Sequence, residues 1–114
     1  MIAYFDTSAL VKLLFDDEPG RVVAFAAWVR SERVVASTLL YPEATAALAR
    51  ARRGHRLTSL TARAAFRLLE HLIEEVELVD PTRVLLWEAA SMARGHRLRG
   101  YDAVHLASAL VMCP

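Results

Sequence analysis

The chain has 114 residues, room for one domain with a self-supporting core. Hydrophobic residues make up 55% and charged residues 24%, which excludes a disordered chain, because apolar burial can offset chain entropy. The single Cys113 excludes an intrachain disulfide framework and a Cys-rich zinc module, and the net charge of +1 says little until resolved along the chain.

The elements alternate. Ile2 to Phe5 is a short apolar run and reads as a buried strand. Thr7 to Phe15 reads as a helix, with Asp6 or Thr7 available as N-cap. Pro19 and Gly20 punctuate, and a second helix covers Arg21 to Ser31. Val34 and Val35 centre a second strand, and Leu39 to Arg53 is a helix stopped by Gly54. Thr58 or Ser59 caps a fourth helix carrying Leu60, Ala64, Leu68, Leu72, Ile73 and Val76. Val76 to Val79 is a third strand. Asp80 then caps a helix with Pro81 at its first position, ending near Gly95, and Tyr101 to Met112 is the last helix. Strands alternating with helices imply an α/β fold, a parallel sheet with helices on both faces. The functional crevice of such a sheet lies beyond the carboxyl ends of its strands.

No linker, repeat or low-complexity tract divides residues 1–114, so one domain is expected. The longest apolar stretch, Val22 to Val29, is too short to span a bilayer. With one cysteine and no visible signal peptide, a reducing cytoplasm is expected. Charge is unevenly spread. From Ala44 to Leu69 there is no acid, but there are Arg50, Arg52, Arg53, Arg56, Arg63 and Arg67. Arg94, Arg97 and Arg99 form a second run. Solvated helix faces account for any one of these; two runs on a nearly neutral chain also suit a polyanion partner.

Three acids are out of place. Asp6 follows a buried strand, Glu43 sits in the first turn of a helix otherwise rich in Leu and Ala, and Asp102 opens an apolar helix. Each alone has an ordinary role as a cap or a favourable charge at a helix start. Together they suggest a cluster. Two carboxylates 4 Å apart repel by roughly 4 kcal/mol at an effective dielectric near 20, so a cluster needs a held proton or a cation. All-oxygen ligands suit Mg²⁺ or Mn²⁺ rather than zinc.

The stretches IAYFDTSALVKLL, STLLYPEATAAL and YDAVHLASAL resemble, in order and spacing, the motifs of the PIN-domain family, most closely its VapC-type toxins. The resemblance covers Met1 to Val111. It implies a PIN-like three-layer fold and a metal-dependent endoribonuclease, using Mg²⁺ or Mn²⁺, that hydrolyses RNA and is neutralised by a cognate VapB-type antitoxin. It also implies a homodimer within a toxin–antitoxin hetero-oligomer. Carried over by position, Asp6 and Asp102 would bind the metal, and Glu43 would orient or deprotonate the attacking water. Thr7, Ser8 and Ser37 match the supporting small polar positions. The family normally continues beyond the YDA helix into further strands, one carrying a fourth acid. Without them the sheet would be 3-2-1 with Ile2 to Phe5 at its edge, and the alternative is a catalytically impaired module that binds RNA or an antitoxin.

Other residues carry less. His105 lies three positions after Asp102 on the same helix face, placed either to touch metal-bound water or RNA or as a structural histidine bonded nearby. Arg50, seven positions after Glu43, could meet a phosphate about 10 Å along the helix. Tyr101 could stack on a base or pack in the core. Trp28, Trp87 and Phe66 are expected in the core or an interface.

Overall fold

The computed structural model describes residues 1–114. Nine elements follow one another: β1 (Ile2–Tyr4), α1 (Thr7–Leu14), α2 (Arg21–Arg30), β2 (Arg33–Ser37), α3 (Leu40–Arg53), α4 (Ser59–Glu74), β3 (Glu77–Val79), α5 (Arg83–His96) and α6 (Gly100–Met112). The strands form one parallel sheet in the order β1-β2-β3. Ala3 pairs with Val34 and Tyr4 with Val35, while Ala36 pairs with Leu78.

Strand alternation divides the core. Ala3, Phe5, Val34 and Ala36 face one side, packed with the apolar stripes of α1, α3 and α4 and with Ala24 of α2. Those stripes have helical spacing: Leu10, Leu13 and Leu14 on α1, Leu40, Ala44 and Leu48 on α3, Ala62, Ala65 and Leu69 on α4. A smaller core joins Leu85 and Ala89 of α5 to Ala103, Val104 and Ala107 of α6. That pair of helices lies on the other side of the sheet, where Tyr4, Val35 and Ser37 point, and α6 meets β2 there. The expected parallel sheet with helices on both faces is therefore present.

Most boundaries fall within a residue of expectation. The start of α5 does not: Thr82, not Asp80, is its N-cap, because the Thr82 hydroxyl accepts from the Leu85 N–H at 3.2 Å. Pro81 thus precedes the cap instead of opening the helix. The other end passes through Gly95 and stops at Arg97, in the left-handed region at φ 55°. Thr58 caps α4 reciprocally with Thr61. Trp28 packs edge-on against Phe5, with ring centres 5.1 Å apart, but Trp87 is 73% exposed and is no part of the core.

Candidate active site

Asp6 is placed by β1 and α1 together. The Phe5 N–H still bonds to Val35 O at 3.0 Å, so the strand ladder runs up to the acid. Asp6 then caps α1, its Oδ1 accepting from the Ala9 N–H and the Ser8 hydroxyl, each at 2.9 Å. Its Oδ2 has no partner in the chain and is reached by solvent. Asp102, in the first turn of α6, is half exposed and lies 3.4 Å from the Arg99 guanidinium. The two acids line one cleft of about 410 Å³, with Tyr4, Leu98, His105, Leu106 and Ala109.

Glu43, in the first turn of α3, is turned toward a polar network. Its Oε1 accepts from the Thr7 hydroxyl at 2.8 Å and lies 2.7 Å from His105 Nε2. The other ring nitrogen, Nδ1, is 2.8 Å from the Tyr4 hydroxyl, which accepts from the Ser37 N–H at 3.1 Å. Ser37 is fully buried, and its Oγ accepts from the Leu39 N–H at 3.2 Å, which shapes the turn into α3. Burial pushes the Tyr4 phenol up to about 12, opposed by hydrogen bonding to Ser108 and Ser37 and aided by the nearby Asp6 and Glu43 charges. A neutral hydroxyl is what this position holds at ordinary pH.

The three expected acids therefore come to one end of the sheet but do not form a single knot. No three His, Cys, Asp or Glu side chains stand together as an ion-holding group. The reason is visible in their partners: Asp6 spends Oδ1 on its own helix, Glu43 spends Oε1 on Thr7 and His105, and Asp102 leans to Arg99. His105 is 6% exposed with both ring nitrogens engaged, which is the bonded, buried placement, and its ring also borders the cleft. Tyr101 and Arg50 are exposed, the first beside Asp102 and the second near the end of α3.

Tyr4 does not stand out in the sequence. A partial signal exists: Tyr4 alternates with Ala3 and Phe5, so it faces away from the larger core and toward whatever covers the other side. His105 shares a helix face with Asp102. What the sequence lacks is the pairing of the two.

The PIN domain family model matches residues 3–112. Two curated relatives from Mycobacterium tuberculosis, Ribonuclease VapC45 and Ribonuclease VapC49, are each 44% identical over 111 residues, covering 97% of this chain and 76% of theirs. Among solved structures, M. tuberculosis VapC20, a toxin that cleaves the sarcin–ricin loop, superposes with a TM-score of 0.73 at 22% identity, over 98% of this chain and 83% of its own. A toxin–antitoxin complex from Klebsiella pneumoniae matches with a TM-score of 0.67 at 17% identity, over 96% of this chain and 79% of that one. The chain belongs to the PIN-domain family, as a ribonuclease toxin of VapC type.

Proposed function

We propose that the chain hydrolyses RNA phosphodiester bonds in a divalent-metal-dependent reaction, with Asp6 and Asp102 holding Mg²⁺ or Mn²⁺ and Glu43 serving the attacking water. The observation that carries this reading is the shared cleft: two carboxylates from opposite ends of the chain line it, beyond the carboxyl end of β1. The donor set fits a hard cation, since Mg²⁺ is commonly held by one or two carboxylates with water completing the shell. Asp6 Oδ2 and the half-exposed Asp102 carboxylate, whose Oδ2 has only the exposed Arg99 beside it, are the oxygens available to serve. When bound, such an ion offsets charge on phosphate oxygens and lowers the pKa of a water.

The chain's own groups supply the rest. Glu43 keeps Oε2 without a partner and open to solvent, so it can take the proton of the attacking water as that oxygen bonds to phosphorus. The bond from phosphorus to the leaving sugar oxygen breaks, and that oxygen takes a proton from solvent. Ser8 and the Ala9 N–H fix Asp6, and Ser37 fixes the turn that delivers Glu43. Tyr101 offers a stacking face beside the cleft, and Arg50 a phosphate contact.

A VapB-type antitoxin as inhibitor and a homodimer belong to the same reading. The exposed apolar side chains of α2, among them Val22, Val23 and Phe25, and on the other side of the sheet Trp87 of α5, support surfaces that protein partners cover. Action in the cytoplasm of a bacterium or archaeon belongs to the same reading, in keeping with the bacterial relatives.

The test is cleavage of tRNA and rRNA in Mg²⁺ or Mn²⁺, compared with EDTA and with Asp6→Asn. Cutting that needs the ion and Asp6 is expected. Equal cutting in EDTA or in Asp6→Asn would sink the mechanism, and RNA bound but left uncut would make the chain a binding module.

A further inference from the structure

We infer that His105 is the positioning residue of Glu43: it donates its Nε2 proton to Glu43 Oε1 and so leaves Oε2 as the one carboxylate oxygen presented to water. This rests on the reading of Glu43 given above and deepens it.

The hydrogen-bond chain fixes the donor. Ser37 N–H occupies one lone pair of the Tyr4 oxygen. If His105 is neutral, the Tyr4 O–H donates to Nδ1 at 2.8 Å, and the ring's single proton must sit on Nε2. If His105 is charged, Nδ1–H donates to the Tyr4 oxygen and Nε2 still carries a proton. The remaining form, neutral with the proton on Nδ1, would set the Nε2 lone pair against a carboxylate oxygen 2.7 Å away, which is repulsive. With Glu43 ionised, as a base for water must be, both favourable states deliver a proton to Glu43 Oε1. Thr7 delivers a second at 2.8 Å. With two donors on one oxygen, the carboxylate is held against rotation and its basic face is Oε2.

The arrangement satisfies a buried polar side chain at both ring nitrogens. His105 is 6% exposed, and burying an imidazole stabilises nothing unless its bonds are made. Those bonds run from β1 through α6 to α3, tying the strand that precedes Asp6 to the helices that carry Asp102 and Glu43.

The test uses the whole chain and two readouts. Nitrogen-15 spectra of the imidazole without RNA report the protonation of each ring nitrogen. Nε2 is expected to be protonated, and an unprotonated Nε2 at neutral pH overturns the inference whatever the activity. In the cleavage assay, His105→Leu is expected to lower kcat roughly a hundredfold with KM nearly unchanged, the size expected for a catalytic group misplaced by about 1 Å. His105→Gln, which keeps an N–H donor toward Glu43, is expected to recover much of the loss. Adding Glu43→Gln to His105→Leu is expected to cost no more than Glu43→Gln alone. Cutting lost in Glu43→Gln but unchanged in His105→Leu overturns the positioning role only. Undiminished cutting by Glu43→Gln overturns the reading of Glu43, and this one with it. If His105→Leu fails to fold, His105→Gln and the spectra decide, and a Gln variant whose loss matches that of Glu43→Gln overturns the inference.

Discussion

Glu43 and His105 meet at 2.7 Å across 62 positions of sequence, and that contact joins the large core to the small one. Glu43 rises from α3, whose buried stripe lies in the larger cluster, while His105 belongs to α6 of the smaller. A polar bond is what spans the two because the sheet between them ends there. At the carboxyl ends of β1 and β2 stand Tyr4, Ser37 and the acid that follows β1.

Asp6 has two duties, and they separate by substitution. Its Oδ1 caps α1, and asparagine caps as well as aspartate. Asp6→Asn is therefore expected to keep the stability of the natural chain in urea while losing cleavage. Asp6→Ala loses both, with unfolding made easier by about 1 kcal/mol. Equal midpoints for the Asn and Ala variants would show that the cap contributes nothing.

The Tyr4 phenol gives a pH dependence of stability. Its folded value of about 12 lies above the ordinary 10.0, so the folded state holds this proton more tightly than the unfolded chain. The contribution is fully present below pH 10 and is lost as pH climbs from there through about 12. Tyr4→Phe removes the effect. Over that window the natural chain's urea midpoint is expected to fall more steeply than the variant's, and parallel curves would contradict the assignment.

Much of this is legible in sequence. The β1 to α6 order follows from runs and punctuation, since short apolar stretches, Thr58, Gly54 and the Pro19-Gly20 pair have local causes. Asp6, Glu43 and Asp102 can be found because an acid at the start of an apolar helix is conspicuous. What is not legible depends on side-chain direction across the fold. Thr82 outcompetes Asp80 as cap through a choice of hydroxyl over carboxylate that no spacing rule decides. The turning of Glu43 onto His105, rather than onto Asp6 and Asp102, depends on α6 crossing β2, a tertiary contact with no sequence trace.

The larger core should respond sharply to a cavity. Leu48 is fully buried between α3 and its neighbours. Leu48→Ala is expected to cost about 2–5 kcal/mol, a large part of the roughly 5–15 kcal/mol typical of a domain. Leu60→Ala, at a position 74% exposed on α4, is expected to stay within about 0.5 kcal/mol. Denaturant midpoints read both, with the slope unchanged if only the folded state is affected.

RNA binding should reveal whether α3 serves the substrate as well as the site. Arg50 is exposed near the end of α3 and makes no ion pair, whereas Arg56 is held by Asp17 and Glu18 and lies 3.9 Å over the Phe15 ring. A free guanidinium on the helix that delivers Glu43 is available to a phosphate; one already paired is not. Arg50→Ala, measured on the cleavage-deficient Asp6→Asn background, is expected to weaken binding to single-stranded RNA. The slope of log affinity against log salt should flatten by about 0.7, the value for neutralising one phosphate fewer on a single strand. Arg56→Ala is expected to lower stability and leave that slope alone. A slope unchanged by Arg50→Ala would remove α3 from the RNA path and leave the rim around Tyr101 and Arg99 to carry it.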